Sequence, residues 1–192
     1  KRINIKVLDN LLIKDVSLNF ISDKDLTLLN SINANYQDIS ISNGSISLKK
    51  KKEIIIDGNF NSEINLSKSK LDKLFARSDV KLLKENIASI KGSLLHKFTL
   101  KINENFKLVD YDYKSNGNIS KSEIIFKEPF ENNFLEKKIN KISILDTNLK
   151  INFNKKNNNR LLLDGLYNSP GSENKKFKIT YNLNKKDSKY LI

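Results

Sequence analysis

The chain has 192 residues, of which 38% are hydrophobic and 30% charged, with a net charge of +13. That composition is too apolar for a disordered chain, and no apolar run approaches the roughly 20 residues of a membrane-spanning helix. Cysteine is absent, which excludes disulfides, thiolate catalysis and zinc–thiolate sites. Nearly all the positive charge is lysine; the only arginines are Arg2, Arg77 and Arg160. Base reading and bidentate phosphate binding favour arginine, so the lysines are read as solvated faces and nucleic acid is not an expected partner. The sequence begins at Lys1, contains no Met and shows no signal peptide. Residues 1–192 are therefore expected to be one β-rich segment of a larger protein.

Period-two alternation dominates the chain and predicts strands with one apolar face. Ile3, Ile5 and Val7 alternate with polar residues, then Val16, Leu18 and Phe20, then Ile32, Ala34 and Tyr36, then Ile39 and Ile41. Asn43-Gly44 predicts a hairpin turn to Ile46 and Leu48. Lys49–Lys52 predict a charged hairpin tip before Ile54, Ile56, Gly58 and Phe60, and Ile64 and Leu66 extend that strand. Residues 67–87 break the pattern. Ser67 is a candidate N-cap, and Leu71, Leu74, Phe75, Val80, Leu83 and Ile87 recur at helical spacing, predicting one or two short helices. Strands resume at Ile90, Gly92 and Leu94 and at Phe98, Leu100 and Ile102. A turn is expected at Asn103–Asn105, with Phe106, Leu108, Tyr111 and Tyr113 beyond it. Asn116-Gly117 predicts a further turn, Pro129 the end of the next run, and residues 130–139 a short helix or packed loop. Ile142 and Ile144, then Leu149, Ile151 and Phe153, lead to a tip at Asn154–Asn159. After it come Leu161, Leu163, Gly165 and Tyr167, a turn at Ser169–Ser172, and Phe177, Ile179, Tyr181 and Leu183.

One phrase occurs twice. Residues 54–62 read Ile-Ile-Ile-Asp-Gly-Asn-Phe-Asn-Ser and residues 161–169 read Leu-Leu-Leu-Asp-Gly-Leu-Tyr-Asn-Ser. Each comes after an Ile-Ser-Ile lead-in, at Ile39–Ile41 and at Ile142–Ile144, and the second copy has the longer intervening stretch (145–160 against 42–53). The repeat units span approximately 39–66 and 142–183. Repeated strand units stacked along an axis predict a mainly β, antiparallel, curled sheet forming an open groove, with one or two short helices.

No residue set calls for chemistry. Asp57 and Asp164 fall on the polar parity of their strands, whereas Gly58 falls on the apolar parity, where a missing side chain marks a bulge or a close approach. His96 is the only histidine and has no second imidazole to share a metal, so a surface or cross-strand pairing role is expected. Asp110/Asp112 and Glu128/Glu131 lack partners at catalytic spacing, and no phosphate loop or hydrolase motif occurs. No catalytic residue, metal or cofactor is therefore assigned. The aromatics lie in register with Ile and Leu, as core or groove residues.

A one-sided sheet must cover its apolar face, and this chain offers little to cover it. Either the sheet folds on itself, or it forms a trough lined by Ile46, Leu48, Ile54, Ile56 and Phe60 and by Leu149, Ile151, Leu161, Leu163 and Tyr167. Ile55 and Leu162 should then point the other way. Several features together resemble AsmA-like bacterial envelope proteins, the repetitive β-groove proteins of the TamB and YhdP type. These features are the Ile-Ser-Ile-x-x-Gly-x-Ile-x-Leu pattern, the charged tip, the Ile-Ile-Ile-Asp-Gly-x-Phe phrase, and Leu66 leading into a short amphipathic helix; the Tyr111–Ile124 stretch is similar. The resemblance implies a non-enzymatic segment that conducts phospholipid acyl chains between inner and outer membranes. It implies a periplasmic location in a protein whose membrane anchor is not in this chain, with membrane surfaces or envelope proteins as partners at the ends of the parent. The alternative is a structural or adhesive β-repeat of a cell-surface protein.

Overall fold

A computed structural model describes residues 3–7, 11–75, 87–130, 138–156, 159–182 and 188–191. The strands are β1 (Ile3–Val7), β2 (Leu11–Ser22), β3 (Leu26–Tyr36), β4 (Ile39–Lys50), β5 (Ile54–Ser67), β6 (Ile87–Ile102), β7 (Leu108–Phe130), β8 (Ile139–Asn154), β9 (Arg160–Asn168), β10 (Lys175–Asn182) and β11 (Ser188–Leu191). They form one sheet of eleven strands in sequence order, each antiparallel to the next. The sheet is open, with β1 and β11 as its edges. The mainly β, antiparallel expectation holds, with a single helix, α1 (Lys68–Phe75), among the described residues.

Directly opposed residues of antiparallel strands share a face, so the register fixes the sides. One row runs Ala34–Ile41–Ser62–Leu94–Gly117–Leu149–Leu163–Ile179 from β3 to β10. A second runs Leu29–Ile46–Gly58–Phe98–Tyr113–Phe153. A third runs Thr27–Leu48–Ile56–Leu100–Tyr111. This inner face holds every fully buried strand side chain among the described residues, including Val16, Ala34, Leu66, Leu94, Leu149 and Phe177. Burial confined to one side is what a sheet curled around that side produces.

Strands this long keep one face apolar only by correcting their phase. Ile39 and Ile41 have the opposite parity to Ile46 and Leu48, yet all four face inward, because an extra residue at Asn43 shifts the register between Ser42 and Ser45. Asn43 has φ of 53°, a left-handed conformation that Asn tolerates better than most residues. Asp15 in β2, Ser31 in β3 and Asp146 in β8 are bulged in the same way, with φ of 53°, 53° and 41°. Each such bulge also adds twist. Asp146 comes four residues after Ile142, as Asn43 comes four after Ile39, so the repeated lead-in carries the bulge in both copies.

Three expected boundaries are therefore corrected. Asn43-Gly44 is a bulge inside β4, not a hairpin turn. Asn116-Gly117 is strand interior in β7; its glycine serves close approach, since a Cβ there would sit 2.0 Å from the Ser93 carbonyl oxygen and 2.8 Å from Leu94 Cα. Pro129 does not end its run, because β7 continues to Phe130, which pairs with Ile139. Strand structure thus occupies both ends of the stretch expected as a helix or packed loop, and Phe134 and Leu135 lie outside the described residues. The expected tip at Lys49–Lys52 and the turns at Asn103–Asn105 and Ser169–Ser172 are found where β4–β5, β6–β7 and β9–β10 meet, and the tip at Asn154–Asn159 falls between β8 and β9, with residues 157–158 outside the described residues.

Ser67 stands at the N-cap position of α1, its hydroxyl 3.3 Å from that of Ser69. Lys68 pairs with Asp72 at 3.1 Å along the helix, and Lys70 reaches Asp38 in the β3–β4 turn at 3.1 Å. The helix packs on β5 and β6 and drives Leu71, 1% exposed, onto the end of the inner face beside Leu66. Val80 and Leu83 lie outside the described residues, and Ile87 is the first residue of β6 rather than a helical one.

Two substitutions test this packing. Gly117→Ala forces a methyl against the backbone of β6 and should lower unfolding free energy by about 1–3 kcal/mol in urea melts. Asn116→Ala, on an exposed neighbour, should stay within about 0.5 kcal/mol of the parent.

Candidate functional site

The structure brings all ten expected lining residues to the inner face. Leu48 opposes Ile56, Ile46 opposes Gly58, Ile54 opposes Lys50 and Phe60 opposes His96. Leu149 opposes Leu163, Ile151 opposes Leu161 and Tyr167 opposes Ile144. The two repeat copies are joined across β6 and β7 by Phe98, Leu100, Tyr111 and Tyr113. Leu149 is buried and the other nine are half-buried. Ile55, opposite Lys49 and Lys101, and Leu162, opposite Lys150 and Thr180, lie on the outer face.

Asp57 and Asp164 are on the outer face, as their parity predicts. Asp57 accepts a 2.7 Å hydrogen bond from Thr99 and lies 3.6 Å from Lys49, while Asp164 lies 3.7 Å from Lys178. Gly58 lies under an aromatic ring: a Cβ there would fall 2.3 Å from Phe98 Cζ. Glu123, also outward, is bridged by Lys141 at 2.9 Å and Lys121 at 3.1 Å, which holds its carboxyl below the usual range. Two shallow hollows, of about 450 and 530 Å³, lie mainly along this polar side. The larger is lined by Lys97, Lys114, Asn116, Lys150 and Arg160 together with Leu162. Among the described residues no group of carboxylates and imidazoles stands close enough to hold a metal ion.

The inner face is not uniformly apolar. Ser62, His96, Tyr113 and Ser115 occupy adjoining inward positions on β5, β6 and β7. His96 is not a surface residue; it is 8% exposed, and the pairing role is the one realised, in buried form. Its Nε2 is 2.7 Å from Ser62 Oγ and its Nδ1 2.8 Å from the Tyr113 hydroxyl. Phe60 stacks on the imidazole at 4.4 Å between centroids and 19° between planes. Ser62 is 3% and Ser115 1% exposed. Burial pushes the imidazole below its ordinary 6.5 and the phenol above its ordinary range. The Ser115 hydroxyl opposes the phenol's shift, yet it has no partner at hydrogen-bonding geometry.

A serine within hydrogen-bond reach of an imidazole is the first half of a nucleophile–base pair. Here the second ring nitrogen meets a phenol, not a carboxylate that would stabilise an imidazolium. The neighbouring backbone amides lie in paired ladder strands, which leaves no evident pair of donors for an oxyanion. The arrangement is thus a hydrogen-bonding relay set in an apolar surface. Period-two reading missed it, although parity carries the signal: Ser62 is in phase with Phe60 and Ile64, His96 with Leu94 and Phe98, and Ser115 with Tyr113 and Gly117. No known protein family, curated protein or solved structure matches the chain.

The relay has a pH signature. Well above pH 6.5 the imidazole is neutral in both folded and unfolded chains. Below it the unfolded chain takes up a proton that the buried ring resists, so stability should fall as pH drops from 6.5 towards the lowered folded value. With a single histidine in the chain, His96→Gln should flatten the stability profile between about pH 7 and 5.5 in chemical melts. An unchanged slope in the variant would show that the imidazole does not carry it.

Proposed function

We propose that the inner face carries phospholipid acyl chains, and that the chain is a non-enzymatic, lipid-conducting segment of an AsmA-like envelope protein, lying in the periplasm between two membranes. The observation that carries the reading is an apolar face extending across an open eleven-stranded sheet, covered among the described residues only by α1 at one end. Ala34, Leu94 and Leu149 of the first inner row are buried, but the rows through Ile46 and Leu48 are not, so apolar surface is left along them for a partner that supplies hydrocarbon. Each CH₂ removed from water is worth about 0.8 kcal/mol, so a tail of about sixteen carbons gains on the order of 10 kcal/mol gross. Because the rows repeat, a tail sliding along them exchanges one apolar contact for another. The lysine-rich outer face stays solvated, and membrane surfaces or envelope proteins are the partners proposed at the ends of the parent protein.

Photocrosslinkable residues at Ile56 and Leu163, which face inward, should label bound phospholipid, while those at Ile55 and Leu162 should not. Ile56→Asp and Leu163→Asp should each block lipid passage by placing a charge in the apolar path, with circular dichroism confirming β structure. Equal labelling at Ile55 and Ile56, or none at either, would leave a structural or adhesive β-repeat as the better account. Asp57→Asn and Asp164→Asn should leave lipid labelling unchanged.

A further inference from the structure

We infer that the Ser62–His96–Tyr113 relay is a seat for a hydrogen-bond acceptor carried by an otherwise apolar ligand, the carbonyl oxygen of an acyl ester. This rests on the reading of the inner face as lipid-bearing.

Counting protons carries the argument. The serine hydroxyl, the phenol and the neutral imidazole hold three polar hydrogens, one each. They make two hydrogen bonds, Ser62 to Nε2 and Tyr113 to Nδ1. One donor is therefore unspent in either tautomer. If Nδ1 carries the proton, it donates to the Tyr113 oxygen, Ser62 donates to Nε2, and the free O–H is that of Tyr113. If Nε2 carries it, the free O–H is that of Ser62. Ser115 has no partner at hydrogen-bonding geometry and stands outside this count.

Burial selects the first arrangement. Ser62 is 3% exposed, and an unsatisfied donor there would bear its full desolvation cost, whereas Tyr113 is only half-buried. The surplus O–H thus belongs on the phenol, at the reachable end of the relay. The surroundings are apolar on both sides, with Phe98 and Phe153 opposite Tyr113 and Leu94 and Ile151 in the adjoining rows. A ligand satisfying this site carries an acceptor for the phenol joined to hydrocarbon that lies along the apolar rows. A diacyl ester phospholipid places its carbonyls at the head of its chains and fits that description; the dialkyl ether analogue lacks the carbonyl.

The test uses the whole chain and displacement of N-phenylnaphthylamine, a fluorescent apolar probe. A diester phospholipid should displace the probe at about fivefold lower concentration than the diether lipid with the same headgroup and chain length, the effect of one hydrogen bond. Tyr113→Phe should abolish that difference while the probe binds as before. Ser62→Ala should shrink it too, because His96 can then turn its proton to Nε2 and take the phenol's hydrogen at Nδ1. Equal displacement by diester and diether on the parent chain, or an undiminished preference in Tyr113→Phe, would overturn the seat while leaving the lipid-bearing face intact. Failure of the probe to bind at all would overturn both.

Discussion

Everything in this chain depends on keeping the apolar phase on one side of very long strands. β7 runs from Leu108 to Phe130 and β8 from Ile139 to Asn154, lengths over which a strict two-residue period accumulates no error but a twisting sheet does not stay in register with its neighbours. The bulges at Asp15, Ser31, Asn43 and Asp146 absorb that mismatch. Each inserts one residue, flips the parity of the strand beyond it, and returns the next apolar residue to the inner face. Without the bulge at Asn43, Ile46 and Leu48 would face outward and Ser45 and Ser47 inward. The rows from Leu29 to Phe153 and from Thr27 to Tyr111 would then be broken at β4.

The topology makes such local corrections sufficient. Among the described residues each strand pairs only with the strand before and the strand after it, so stability is largely a chain of neighbour terms. The repeated lead-in shows the same logic at a larger scale, because Ile39–Asn43 and Ile142–Asp146 place their bulges alike although their hairpin tips differ in length.

The sequence made the strand content, the tips at Lys49–Lys52 and Lys155-Lys156, the sidedness of Asp57 and Gly58, and the sharing of one face by Ile56 and Leu163 legible, because all of these derive from parity. It hid the difference between a turn and a bulge. Asn-Gly serves both, since either needs a residue at ease with positive φ, and only the parity change from Ile41 to Ile46 separates them. Asn116-Gly117 misled for another reason: Gly117 has an ordinary strand conformation and is selected by the closeness of Ser93 and Leu94, which no local pattern reports. The relay was hidden because its members stand far apart in the chain, and Ser62 and Ser115 look like ordinary strand serines until the register sets them beside His96.

The relay also bears on why the rows of the inner face through Ile46 and Leu48 are only half-buried. A hydrophobic core closed by a second sheet would bury such positions to a few per cent and would gain little from three polar side chains at its middle, whose desolvation must be offset bond by bond. On a face left open, the balance differs. Ser62, His96 and Tyr113 satisfy one another but for one surplus donor on the half-buried phenol, while the neighbouring Ser115 hydroxyl has no partner at hydrogen-bonding geometry. On the proposed lipid-bearing reading, hydrocarbon laid along Ile54, Ile56 and Leu100 on one side and Leu149 and Leu163 on the other would remove apolar surface from water at both ends of this polar step. Occupancy and folding would then be coupled, since a ligand that binds the curled sheet and not the unfolded chain stabilises it in proportion to the logarithm of its concentration. A sheet held mainly by neighbour contacts, with one short helix over one end of its apolar face, gains most from that coupling along the rows from β4 to β9.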